Sequence, residues 1–418
     1  MDQAIAVVDI GKTRSKLSLW SSAGAPIWRT DYANCAAGAA PRQLDVAGIG
    51  AWLTTALAAA AQMAQLRAIV PVGHGAAAVL VHGDAVVAAL DYEQPIPADI
   101  AASYEALRDP FEATLSPRLP DGLNLGVQLF WLERLHPEAW PADGRALLWP
   151  QYWAWALSGV WAAERTSLGC HSDLWRPAED RFSDLAISRG WAERLGPLRR
   201  AGEVLGPIRP ELGAELSLPA DCAVYCGLHD SNAALHAARG FPELAGGPFA
   251  VVSTGTWFVT MGVGGAGPST YDPTEDMLAN VDVFGRPVPT ARFMGGRDYE
   301  AWMADALGAA SDPARLAEAA ALADWRAAPP EIRATRAAIE LARRADRALR
   351  LVAAEGPILV EGRFAGDGAF AAALAALRSA QPVYRSDLAD GVALGALRLA
   401  SPHARPAARL VRVTPPHV

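Results

Sequence analysis

No long run of basic residues occurs in this chain, and its 37 lysines and arginines are outnumbered by 45 aspartates and glutamates. The formal net charge of −8 gives nucleic-acid binding little support, because that recognition rests on clustered cations. An acidic chain can still hold a phosphate locally, since backbone N–H groups do that whatever the net charge. Cysteine is scarce: Cys35, Cys170, Cys222 and Cys226 are the only four, and just the last two lie close together. No second pair and no histidine cluster completes a zinc set, so free thiols in a reducing compartment are expected. A clean apolar span is missing as well. The most apolar stretch, residues 68–90, is broken by Pro71, His74, His82 and Asp84, short of the about 20 apolar residues a membrane crossing needs. The opening Met-Asp-Gln runs straight into an apolar strand without a signal-peptide pattern, and the expected location is the cytoplasm.

What is present is a globular composition, 51% hydrophobic and 20% charged. At 418 residues the chain is too long for one core, given about 100–200 residues per domain. Residues 4–8 form a short apolar run rich in β-branched types that ends at Asp9-Ile10-Gly11. Residues 16–20 alternate polar and apolar, and 26–32 follow a Ser-Ser-Ala-Gly-Ala turn, so three strands in a meander are predicted. Asp45 stands where a helix N-cap would, residues 46–66 carry helical spacing, and 68–72 read as another strand.

The same order recurs later. Strands are predicted over 249–252, 257–262 and 288–293, then helices over 298–307 and 331–354. Strand 358–360, helix 368–377, strand 382–385 and helix 391–400 complete the pattern. Between the two units lies an insertion, roughly 91–220, dense in tryptophan: Trp131, Trp140, Trp149, Trp153, Trp155, Trp161, Trp175 and Trp191. Most are expected to anchor a core, and one or two to stack on a sugar ring. The arginines of 333–350 read as a solvated helix face.

Four segments could carry chemistry. The first is Asp9-Ile10-Gly11-Lys12-Thr13-Arg14-Ser15-Lys16, between two strands. Gly11 permits a tight turn whose N–H groups form an anion-binding concavity; Thr13 adds a hydroxyl, and Lys16 can hold a phosphate. Asp9, at a strand end, is placed to hold Mg²⁺ through water. This is no P-loop, because the second glycine of that motif is missing. The second segment, Ser253-Thr254-Gly255-Thr256-Trp257, repeats the design, and two such turns could grip a triphosphate. The third, Gly227-Leu228-His229-Asp230, precedes an alanine-rich helix. Asp230 is there either a helix N-cap or a base that accepts a proton from a substrate hydroxyl attacking a γ-phosphate. The fourth, Glu361-Gly362-Arg363-Phe364-Ala365-Gly366-Asp367-Gly368, could leave a flat slot for adenine or be an ordinary loop.

In this order the four segments resemble the FGGY carbohydrate kinase family. The match is carried by Asp9 to Lys16, His229-Asp230, Thr254-Gly255-Thr256 and Gly362 with its following helix. Gln128 to Leu135, Pro137-Glu138 and Leu394-Gly395-Ala396 extend it over most of the chain. The resemblance implies an α/β fold of two ribonuclease-H-like (actin-like ATPase) domains with an interdomain cleft. The division expected is 1–225, sugar-binding with an insertion, and 226–418, nucleotide-binding. It implies Asp230 as catalytic base and Asp9 as the metal residue. ATP contacts would come from Gly11, Lys12, Thr13, Lys16, Thr254, Gly255, Thr256, Gly362, Arg363 and Asp367. Sugar contacts would come from His74, Gly75, Asp91, Glu93, His229 and Asp230. The cofactors implied are ATP and Mg²⁺; the partners are a small-molecule sugar and a second copy in a homodimer, with no nucleic acid and no membrane.

Two departures stand out. The family usually shows Gly-Gly where this chain has Glu361-Gly362, and often Asn near Asp367. The His-Asp pair and Gly-Thr-Trp triplet are most like rhamnulokinase-like members, with xylulokinase-like members beside them, which implies a ketose. The departures motivate one alternative, a non-catalytic sugar or nucleotide sensor on the same scaffold. Another is an assembly ATPase on an actin-like core. Fold alone does not decide among them.

Overall fold

The computed structural model describes residues 3–35, 41–140, 144–388, 390–406 and 408–415. Strand Gln3–Ile10 is buried at nearly every position. Both its faces are covered, so its apolar run shows no alternation. It returns as Arg14–Ser21, antiparallel, with Asp9 opposite Lys16, and Pro26–Ala33 follows at the edge. Asp45 caps helix Val46–Met63 by accepting the Gly48 N–H at 2.9 Å. Ile49, Leu53, Ala56, Leu57 and Ala60 form the buried stripe of this helix. Among the described residues it is the one helix long and apolar enough to cross a membrane, and its stripe belongs to the first core. Periodicity predicts it to residue 66, but the chain turns extended at Ala64 and Gln65 opens strand Gln65–Gly73. Parallel pairing with Gln3–Ile10 takes Leu66 from the helix.

Ala223–Tyr225 and Leu228–His229 pair in parallel with Gln65–Gly73, and His229 lies beside Gly73. Strands Ala85–Ala88 and Ala78–His82, which precede the insertion, and Gly144–Leu148 within it form a separate three-stranded sheet. The tryptophans there are packing anchors: Trp149, Trp153, Trp175 and Trp191 are each at most 2% exposed. Each such ring removes about 150–250 Å² from water, which makes them large contributors to the core.

The second sheet repeats the plan. Phe249–Thr254 is antiparallel to Phe258–Val263 and parallel to Ile358–Gly362. Pro287–Phe293 flanks the hairpin, with Met277–Val281 beyond it, and Val383–Arg385 and Val411–Arg412 lie on the other side. In each sheet a meander of three antiparallel strands continues into parallel strands beside the first. That is the ribonuclease-H-like topology, and it occurs twice. Helices Pro330–Leu351 and Gly368–Leu377 pack on the second sheet through Ile332, Leu341, Leu349, Phe370 and Leu374. Both begin about where the sequence predicts; the predicted helix 298–307 is instead Gly295–Trp302.

The chain divides into two compact units. One is Met1–Ala237 with Ala279–Pro287 and Asp390–Arg405; the other is Ala238–Leu278 with Val288–Ala389 and Pro406–Val418. These are not the consecutive stretches 1–225 and 226–418. Helix Asp230–Ala238 belongs with the first unit except for its last residue, and so does helix Gly391–Ala400. The two helices cross so closely at Gly395 that a Cβ there would overlap the Ala233 carbonyl oxygen.

Candidate active site

Strands Gln3–Ile10, Gln65–Gly73 and Leu228–His229 are parallel and end together, Ile10 beside Gly73 and Gly73 beside His229. The carboxyl ends of parallel strands are where such sheets gather ligand-binding groups. Register therefore brings Asp9, His74-Gly75 and His229-Asp230 to one edge of the first unit.

Asp230 opens its helix. Its Oδ1 accepts the Ser231 N–H at 2.6 Å and the Ser231 hydroxyl at 3.2 Å, and lies 3.2 Å from His229 Nε2. Among the described residues no hydrogen bond engages Oδ2. The side chain is 32% exposed. Burial pushes its pKa up to about 6, against the pull of Ser231 and Lys16. His229 is held on two further sides: Nδ1 faces the Asn232 amide nitrogen at 3.1 Å, and its backbone N–H donates to Thr166 Oγ1 at 3.0 Å. Burial pushes the ring down to about 4, so it is neutral near pH 7. The Thr166 hydroxyl in turn donates a hydrogen bond to the buried Glu164 carboxylate at 2.6 Å.

Asp9 is pushed up to about 7, first by burial and then by Asp230 and Asp390, while Lys16, with Nζ 3.8 Å away, pulls it down. Asp390 immediately precedes helix Gly391–Ala400 and pairs with Arg29 at 3.3 Å. Sequence reasoning passed over Asp390, because an aspartate before a helix reads as a cap and nothing nearby ties it to a strand end 381 residues earlier. Gly11 closes its turn by donating to the Arg14 carbonyl at 3.1 Å. Asn34, another residue passed over, donates to the Gly11 carbonyl at 2.8 Å and accepts from the Ser15 hydroxyl at 2.7 Å, which fixes the turn against the third strand. The Thr13 carbonyl accepts the Asn34 N–H at 3.0 Å.

Lys12 does not join Lys16. Its ammonium rests on the Asp91 carboxylate, 3.8 Å from Glu93 Oε2 and 4.9 Å from the centre of the Tyr92 ring. The structure thus groups Lys12 with Asp91 and Glu93, two residues expected to meet the sugar. Asp91 also receives the Glu93 N–H at 2.9 Å and lies 3.5 Å from Arg42 Nε. Burial would raise its pKa, but Lys12, the Glu93 N–H and Arg42 outweigh burial and the net shift is downward. His74 stacks on Trp149 at 5.4 Å and meets Tyr92 edge-on at 5.1 Å. Neither ring nitrogen of His74 has a hydrogen-bond partner, and burial followed by Lys12 pushes its pKa down to about 3. Gly75 lies against His229: a Cβ there would stand 3.2 Å from His229 Cδ2, and its carbonyl accepts from Cys170 at 3.5 Å.

In the second unit, Thr254 and Gly362 end adjacent parallel strands. Thr254 is buried, and its hydroxyl is already committed. It donates to the Glu361 carbonyl at 2.6 Å and accepts the Phe364 N–H at 2.9 Å. It is a fastener between strand and loop. Gly255 donates to the Trp257 carbonyl at 3.0 Å, and Thr256 and Trp257 are exposed at the tip of the turn. Gly362 sits at φ +85°, and a Cβ would overlap the Thr254 carbonyl oxygen, so only glycine fits. Arg363 donates to Glu300 at 2.6 Å. Asp367 caps helix Gly368–Leu377 through the Phe370 N–H at 2.9 Å and accepts the Ser311 hydroxyl at 2.6 Å. Its carboxylate caps this helix at the end of the glycine loop. Burial raises the Glu361 carboxyl, with Ser253 opposing.

Duplicated ribonuclease-H-like units, one with carboxylates at its strand ends and one with a glycine turn at the equivalent ends, define an actin-like phosphotransferase fold. The carbohydrate kinase FGGY C-terminal domain matches residues 246–330 and 319–408. A carbohydrate kinase from Novosphingobium aromaticivorans is 42% identical over 99% of this chain and 94% of that one, with a TM-score of 0.91. Xylulose kinase from Rhodospirillum rubrum (16% identical, 99% and 94% covered, TM-score 0.75) shares the fold. So does Plasmodium falciparum glycerol kinase with ADP (10% identical, 98% and 94% covered, TM-score 0.75). The comparison with curated proteins returned no match. The chain belongs to the FGGY carbohydrate kinase family, whose members are phosphotransferases that use ATP. The sensor alternative finds no support among these relatives.

Proposed function

We propose that this kinase transfers the γ-phosphate of ATP to a hydroxyl of a ketose or related polyol, with Asp230 as general base. One observation carries the reading. Oδ1 of Asp230 is fastened by Ser231 and His229, Oδ2 is left free, and the pKa of about 6 leaves the carboxylate ionised but basic near pH 7. A fixed oxygen orients the group and a free one takes the proton as the hydroxyl attacks. Neutral His229, fastened by Asn232 and Thr166, orients Asp230 without competing for that proton.

Phosphoryl transfer needs charge neutralisation and positioning more than covalent help. Lys16, half exposed and 3.8 Å from Asp9, is the cation we assign to the phosphates. Asp9 fits a hydrated Mg²⁺. Its carboxylate is crowded by Asp230 and Asp390, a charge that a cation held by Asp9 would relieve. When bound, that ion would neutralise phosphate charge. In the second unit the backbone of the 254–256 turn, with exposed Thr256, is the part we assign to nucleotide phosphates. The four cysteines are free thiols, which favours a reducing cytoplasm. The test is an ADP-release screen with Mg²⁺ across ketoses, aldoses and polyols. At least one ketose or polyol should raise ADP release well above the sugar-free rate; sugar-independent hydrolysis alone would contradict the reading.

A further inference from the structure

Lysine occurs only twice in the sequence, at Lys12 and Lys16; every other of its 37 basic residues is arginine. Four residues apart, Lys12 in the turn and Lys16 on the strand that follows, the two part company. Lys16 is 50% exposed beside Asp9, whereas Lys12 is 17% exposed and enclosed by Asp91, Glu93 and Tyr92. Lys12 and both carboxylates line a cavity of about 240 Å³, with Arg42, Asp45 and Trp149 also on its wall. Behind Trp149 lies His74, buried, with two ring nitrogens that have no partner. A lysine ammonium is a compact donor of three hydrogen bonds that adapts to tetrahedral oxygen, whereas an arginine fork matches planar carboxylate or phosphate. The carboxylate beside it accepts what a hydroxyl donates. An ammonium and two carboxylates on one wall therefore read adjacent hydroxyls as alternating acceptors and donors. The charge of Lys12 is already met by Asp91, and three carboxylates face two cations around the cavity, so an acidic sugar finds no spare positive charge there.

We infer that Lys12 is a sugar ligand, not a phosphate ligand, and that with Asp91 and Glu93 it selects a neutral polyol over one bearing a carboxylate. The inference rests on the kinase reading above, yet it can fail separately. With only two lysines, amine acylation followed by mass spectrometry is a two-site footprint. D-xylulose, glycerol and D-gluconate serve as sugar probes, and Mg·ADP as the nucleotide probe. A neutral probe should lower Lys12 labelling at least threefold and leave Lys16 unchanged. D-gluconate should protect neither, and Mg·ADP should protect Lys16 alone. Protection of Lys12 by Mg·ADP, or by none of the neutral probes, overturns the inference. Protection of Lys12 by a neutral probe, when no sugar in the screen raises ADP release, upholds it and sinks the kinase reading instead. In steady state, Lys12→Met should raise KM for the sugar at least tenfold with KM for ATP unchanged. A rise in KM for ATP alone overturns the assignment, and a soluble variant with both constants unchanged does so as well.

Discussion

Gly395→Ala places one methyl group against the Ala233 carbonyl, one turn into the helix that Asp230 opens. Non-bonded carbon and oxygen rarely approach closer than about 3.3 Å. The added Cβ falls well inside that distance from the carbonyl oxygen, and is 3.1 Å from Ala233 Cα. The obstacle is backbone, so no rotamer change relieves it and the helices must part by on the order of 1 Å. Overpacking of this kind costs about 1–3 kcal/mol, while alanine in place of helical glycine returns about 1 kcal/mol. The net loss of stability is therefore small, about 0–2 kcal/mol. Catalysis is more sensitive, since a shift of about 1 Å at a reacting group can cost on the order of 100-fold. Urea unfolding and kcat at saturating sugar and ATP separate the two effects. The expected result is a folded protein with nearly unchanged stability and kcat lowered by about 100-fold. Full kcat together with raised stability would refute the claim that this crossing positions Asp230.

The pH profile should follow Asp230 and Asp9. Both are raised, Asp230 to about 6 and Asp9 to about 7, so each gains a proton as pH falls through that range and the base is lost. The value of kcat/KM should rise up to about pH 7, drop about tenfold per unit between about pH 7 and 6, and drop more steeply below; a flat profile down to about pH 5 would contradict it. Thr254→Val should leave the Phe364 N–H unpaired and cost about 1–3 kcal/mol in urea unfolding. If Thr254 were instead a phosphate ligand, the change would appear in KM for ATP with stability unmoved.

Much of the fold was legible because its signals are local. The apolar run 4–8, the Ser-Ser-Ala-Gly-Ala turn and the Asp45 cap each specify their own segment, and all three recur in the structure. The duplicated plan was legible for the same reason. The extent of the units was not, since the return of helix Gly391–Ala400 depends on a backbone crossing that no local pattern encodes. Candidate residues divided along the same line. Asp9, His74 and His229-Asp230 follow strand ends, and register alone brings them to one edge. The Lys12 contact was not legible, because its partner Asp91 lies 79 residues away. The hydrogen bonds of Thr254 and Asp367 were not legible either, because a hydroxyl or carboxylate in a glycine loop looks alike whether it meets a ligand or its own backbone.

The base assignment is tested most directly by Asp230→Asn, which keeps the shape and the Ser231 contact while removing the proton acceptor. Single-turnover phosphoryl transfer to the best sugar from the ADP-release screen should fall by about 100- to 10,000-fold, with Mg·ATP affinity unchanged. A variant that transfers phosphate within about threefold of the parent would contradict Asp230 as the general base.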